Sequence, residues 1–210
     1  MSDLLPLFPL PSVVLFPGVF LPLHIFEPRY RDMVADALAT DRLIGMTLLR
    51  GGWEGEYERQ PPIYAVGCSG LITHCEKLPD GRYNLVLRGL DRFRVVSEDH
   101  ARPYRRARTE PIPERDLSAD ERGELRRLRS RIEVLIAPSE QGSGIDPRAT
   151  AAMSDDDLVN ALAQYLDLEP IEKQALLEQP TLPSRARALI ELLEMKTLLA
   201  GRPSHSPRAH

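Results

Sequence analysis

Five prolines, at positions 6, 9, 11, 17 and 22, are set into an almost uncharged run from Leu4 to Phe26 whose one titratable group is His24. Hydropathy alone reads such a run as a membrane span or an export signal. The prolines argue against both. Each removes a backbone N–H and blocks a continuous helix, whereas a bilayer demands roughly 20 apolar residues with every backbone group satisfied internally. An export signal also carries a basic leader, and only Asp3 precedes the run. The run predicts short extended strands and tight turns that close a water-soluble core.

The chain's 210 residues suit one large domain or two smaller lobes, and 42% hydrophobic with 28% charged residues is an ordinary globular balance. Cys68 and Cys75 are too few for a disulfide framework, which with the missing export leader makes the cytoplasm the expected compartment. The net charge of −4 is unevenly spread: residues 82–108 carry eight arginines against Asp91, Glu98 and Asp99, whereas 149–180 are strongly acidic. A nucleic-acid footprint more often raises the charge of the whole domain, so nucleic acid is not the expected partner.

The first half reads as β. Val13–Phe16, Val19–Leu21, Leu43–Leu49, Ile63–Cys75, Tyr83–Leu87, Arg92–Val96 and Tyr104–Thr109 are strand candidates, with Pro79-Asp80-Gly81 as a hairpin turn and Gly89 as punctuation. Many short strands at near-regular spacing predict a small closed or half-closed barrel. One helix interrupts them, starting at Pro28, with Tyr30, Met33, Val34, Ala37 and Leu38 on its apolar face. At Pro111-Ile112-Pro113 the texture turns helical. Ser118 and Glu121 form a capping box, Leu158, Leu162 and Leu166 stripe a second helix, Pro170 opens a short one, and 184–199 form the last. The expected organisation is a β lobe over residues 1–112, a helical lobe over 113–200 and a disordered tail over 201–210.

Reactive chemistry finds little support. His74 and Cys75 are adjacent on a strand, so their side chains leave opposite faces, and with Cys68 they lack the spacing of a zinc site. The chain has no Gly-x-Ser-x-Gly elbow, no Walker loop and no dinucleotide fingerprint. His24, inside an apolar run, reads as a core or interface histidine rather than a base. No catalytic residue, metal or cofactor is expected. What remains is apolar binding: aromatics around the Pro17-Gly18 turn, and Trp53 in a Gly-rich charged loop, are residue types that grip extended peptides when exposed.

The blocks Leu5-Pro6-Leu7-Phe8-Pro9-Leu10, Val14-Leu15-Phe16-Pro17-Gly18 and Leu21-Pro22-Leu23-His24-Ile25-Phe26-Glu27-Pro28-Arg29-Tyr30 follow one another in an order that resembles the start of the N-terminal substrate-binding domain of Lon proteases. The resemblance continues through Ile63–Cys68, Tyr83–Gly89 and Arg92–Val95, and loosens after residue 110. It implies an α+β fold, a PUA-like β-barrel lobe followed by an α-helical bundle lobe, and a role in recognising unfolded or tagged protein segments. Lon proteases continue into ATPase and Ser-Lys protease modules, so the resemblance brings no catalytic residue to these 210 positions.

The expected function is therefore non-catalytic binding of unfolded or apolar protein segments, alone or beside a protease or other protein partner. Phe16, Phe20, Phe26, Tyr30 and Trp53 are the candidate contact residues, with Arg92 and Arg94 as polar guides leaving one strand face while Phe93 enters the other. The alternative is RNA binding through the arginine-rich face of a PUA-like barrel. A hydrolase would instead need a pocket of converging titratable groups.

Overall fold

The proline-rich N-terminal run contributes two strands and the loop between them. β1 (Leu5–Leu10) and β2 (Phe20–Ile25) are the run's two strands, and Val14, Leu15 and Phe16 between them are buried in irregular backbone rather than in a ladder. The strand expected at Val13–Phe16 is thus a buried loop. Proline brackets it at 11 and 17, and Gly18 turns it at a φ of 77°. The computed structural model describes residues 4–52, 61–137 and 147–200. The 201–210 tail and Trp53 lie outside them.

β3 (Leu43–Leu48), β4 (Val66–Lys77), β5 (Tyr83–Asp99) and β6 (Arg106–Ile112) complete a mixed six-stranded sheet in the order β2-β5-β4-β3-β1-β6. β1 and β3 are parallel, and the other pairs are antiparallel. β6 pairs with β5 as well as with β1, so the ladder runs from β5 through β4, β3, β1 and β6 back to β5, and β2 is added to the outside of β5. Leu7, Phe93 and Ala107 pack together inside this ring, with Leu5, Ile63 and Val95 against them.

β5 is one continuous strand, not the two expected on either side of Gly89. The glycine answers a close approach: a Cβ there would collide with the Phe16 carbonyl. Gly89 N–H donates to the Val19 carbonyl at 2.8 Å and its own carbonyl accepts from Gly18 at 2.9 Å, which ties the Pro17-Gly18 turn to the middle of β5.

α1 (Pro28–Leu38) starts at its proline and buries Tyr30, Met33, Val34 and Ala37, the expected apolar face. The remaining helices are α2 (Ala119–Ile136), α3 (Pro147–Ala151), α4 (Asp155–Tyr165), α5 (Pro170–Leu177) and α6 (Leu182–Ala200). The fold is α+β, and its described residues divide into two compact units, with the division falling inside α4.

The sheet unit takes in the described residues to Arg115 together with Asn160–Glu178. The segment expected in a helical lobe is thus grouped with the sheet. Polar side chains explain this: Asn160 donates to the Pro17 carbonyl at 3.1 Å, Gln164 accepts from Phe16 N–H at 3.0 Å, and Gln174 donates to the Val66 carbonyl at 3.0 Å. Each satisfies a backbone group that no strand partner reaches.

The second unit holds Asp116–Val159 and the described residues from Gln179 on. The Ser118–Glu121 box forms as expected, with Glu121 N–H donating to Ser118 Oγ at 3.2 Å and Ser118 N–H to Glu121 Oε2 at 2.9 Å. Arg187–Glu124 at 2.7 Å and Arg131–Glu194 at 2.8 Å lie one heptad apart along both α2 and α6, so these helices run parallel in matched register.

Candidate binding face

Alternation along β5 separates two faces. Tyr83, Leu85 and Leu87 are buried, while Asn84, Val86 and Arg88 point outward. Phe20, Pro22 and His24 of β2 stand opposite Arg88, Val86 and Asn84. Leu71, His74 and Glu76 of β4 stand opposite the same three residues, with a bulge at Thr73 that brings His74 to the Val86 position. The open side of the sheet therefore has three rungs: Phe20-Arg88-Leu71, Pro22-Val86-His74 and His24-Asn84-Glu76.

The first two rungs are largely apolar. Phe20 is 51% exposed, and Phe26, just past the end of β2, is 61% exposed. Phe26 stacks its ring on that of His24 with centroids 6.3 Å apart. A shallow depression of about 360 Å³ runs between Pro22, His24, His74, Asn84 and Val86. The third rung is a polar chain. Arg82 Nη1 lies 3.2 Å from His24 Nε2, and His24 Nδ1 lies 2.7 Å from Asn84 Oδ1. These contacts link Arg82, His24 and Asn84 across the third rung. His24, expected in a core or interface, is an exposed face residue.

β2 is the one described strand with a single partner, yet its backbone edge is blocked. The Phe20 carbonyl points away from β5 and accepts from Tyr165 Oη at 2.5 Å and Gln164 Nε2 at 3.4 Å. Pro22, two residues on, faces the same way and has no N–H to offer. An added strand could therefore bond neither to the Phe20 carbonyl nor to Pro22.

The residues singled out by sequence do not come together. Phe20 and Phe26 share the open face, and Arg94 is exposed elsewhere on β5. Phe16 is fully buried, its carbonyl against Gly89. Tyr30 is also buried, its ring 4.5 Å from that of Phe8 and covered on one side by the Arg29 guanidinium. Neither can contact a ligand without unpacking the core. Arg92 likewise is no surface guide: it is buried, donates from Nη1 to the Leu177 carbonyl at 2.9 Å and pairs with Glu114 at 3.1 Å. It shares a strand face with Arg94 as alternation predicts, but α5 and the Glu114 segment cover its part. Pro22, Asn84, Val86 and Arg88 were not singled out, although the 84-86-88 alternation is visible in the sequence. Only the strand register joins it to Phe20.

Five of the eight arginines in 82–108 are ion-paired, at Asp80 (Arg82), Glu114 (Arg92), Asp36 (Arg102), Glu98 (Arg105) and Asp99 (Arg106). The basic stretch is thus largely neutralised within the fold.

Titratable groups also meet in a cleft of about 340 Å³ beside Asp36, Asp41, Arg102, Tyr104 and Arg106. Each has a partner there or next to it: Arg106 pairs with Asp99, and Asp41 accepts from Leu43 N–H at 3.2 Å. Tyr104 Oη donates to Asp36 at 2.6 Å, and Arg102 lies 3.6 Å from the same carboxylate. Burial and the Asp36 charge push the Tyr104 phenol up to about 12, so it holds its proton and is not a base. Thr40 Oγ1 donates to backbone carbonyls of α1 and is not activated. Of the two free thiols Cys68 is buried, and burial pushes the Cys75 thiol up, away from the reactive thiolate. Among the described residues no group of three or more His, Cys, Asp or Glu is placed to hold a metal ion.

Comparison with known proteins adds the following. Residues 4–195 match the family described as the ATP-dependent protease La (LON) substrate-binding domain. Lon protease 2 of Myxococcus xanthus is 30% identical over 92% of this chain, and Lon protease of Anaeromyxobacter dehalogenans is 29% identical over 91%. The chain spans only 24% and 23% of their lengths. Among solved structures, the N-terminal domain of Mycobacterium avium complex Lon protease superposes with a TM-score of 0.65 at 16% identity, over 91% of this chain and 98% of that one. A Lon N-terminal domain protein from Xanthomonas campestris does so with a TM-score of 0.56 at 26% identity, over 95% and 99%.

Proposed function

The chain belongs to the Lon substrate-binding domain family, and from that premise we propose that it is a non-catalytic module that binds apolar stretches of unfolded protein on the open β2–β5–β4 face. The observation that carries this reading is the pair of exposed aromatics, Phe20 and Phe26, beside Pro22 and Val86 on an otherwise solvated sheet. Large exposed apolar side chains grouped on one face mark interaction surfaces. The returning ladder β5-β4-β3-β1-β6 supports a PUA-like β-barrel as the scaffold. A cytoplasmic location fits the free thiols of Cys68 and Cys75, and no described helix is long and apolar enough to cross a membrane.

The family match is to the substrate-binding domain and not to the ATPase or protease modules, which supports the non-catalytic reading. RNA binding is disfavoured because most of the arginines it needs are committed to internal carboxylates. Titration of a fluorescent, unstructured apolar peptide tests the proposal. Saturable binding that weakens about tenfold in Phe20→Ala/Phe26→Ala is expected from the loss of two aromatic contacts. Unchanged affinity in that variant overturns it.

A further inference from the structure

We propose that the open β2–β5–β4 face selects apolar segments that carry a carboxylate beside an aromatic or aliphatic residue, and that Arg88 is the residue that reads the carboxylate. The inference rests on the reading of that face as a peptide-binding surface and adds a charge requirement to it. Of the eight arginines in 82–108, only Arg88, Arg94 and Arg108 have no ion pair among the described residues. Only Arg88 stands on a rung with an exposed aromatic, opposite Phe20 on one side and the half-buried Leu71 on the other.

Neither of the acids near this face pairs with Arg88: Asp80 takes Arg82 at 2.6 Å, and Glu76, two rungs away, accepts from Asn84 Nδ2 at 3.5 Å. Among the described residues the Phe20 end of the face thus carries a cation with no ion-pair partner. A guanidinium offers a planar fork of donors that matches a carboxylate, while its stem lies along apolar surface. A client that places an aromatic beside Phe20 and an acidic group one residue away satisfies both. A lysine at that place meets repulsion instead, so the face discriminates against basic segments.

The test uses the full chain and three labelled, unstructured peptides of the same apolar sequence, with Glu, Gln or Lys next to a phenylalanine. For the wild type at low salt, the Glu peptide is expected to bind about two- to fivefold tighter than the Gln peptide, the scale of an exposed ion pair. The Lys peptide should bind more weakly than either. Arg88→Gln should bring the affinities of the Glu and Gln peptides together. Arg88→Lys should keep part of the preference, and Arg88→Glu should reverse it. Equal binding of the three peptides by the wild type overturns the proposal, as does a Glu preference that survives in Arg88→Gln. Failure of the underlying reading looks different: then no peptide binds the wild type saturably, or Phe20→Ala/Phe26→Ala leaves all three affinities unchanged.

Discussion

Single residues carry more of this fold than their types announce. Gly89 is required because the Phe16 backbone crosses directly over it, so Gly89→Ala should cost about 1–3 kcal/mol, as overpacking does. Denaturant unfolding would show it, and an unchanged midpoint would refute the close-approach account. Arg92 and Arg94 make a sharper comparison. Removing Arg92 strips the Leu177 carbonyl of a buried donor and the exposed Glu114 of its ion pair, at about 1–3 kcal/mol. Arg94→Ala, on the exposed surface, should stay within about 0.5 kcal/mol. Tyr104 yields a pH prediction. Its folded-state pKa of about 12 stands above the ordinary value of 10, so its contribution is complete below pH 10 and lost as pH rises toward 12. Tyr104→Phe should therefore flatten the alkaline decline in stability between those values. An identical decline in wild type and variant would contradict the assignment.

At the level of elements, β2 matters most. Its proline keeps an N–H off the open edge, and Tyr165 with Gln164 occupies the neighbouring carbonyl. Edge strands left open invite pairing with other chains. Pro22→Val should therefore raise concentration-dependent self-association, seen by sedimentation as a shift to larger species. A variant that stays like the wild type would mean the edge is protected by other groups. The same strand shows how far sequence reasoning reaches. Alternation and proline chemistry located β3, β4, most of β5, α1 and the capped start of α2, because those signals are local, but missed β1 and put a strand at Val13–Phe16. They could not say that Asn84, Val86 and Arg88 flank Phe20, Pro22 and His24, because strand register is a long-range property. Nor could the sequence show that Asn160, Gln164 and Gln174 serve backbone groups of the sheet. Phe16 and Phe20 are both aromatics next to a Pro-Gly turn, yet one is fully buried and the other half exposed. Only the path of the turn across Gly89 separates them.

Across the whole molecule, charge is mostly spent on cohesion. A net charge of −4 and paired arginines leave little to hold a phosphate backbone. Peptide binding driven by Phe20 and Phe26 should therefore change little with salt, whereas phosphate contacts would lose affinity steeply. The proposed function places client binding across β2, β5 and β4. The most direct measurement is amide chemical-shift mapping while an unlabelled apolar peptide is added to isotope-labelled protein. Saturable shifts concentrated at residues 20–26, 71–76 and 84–88 are predicted. Shifts concentrated instead around Asp36 and Tyr104, with the three strands silent, would contradict it.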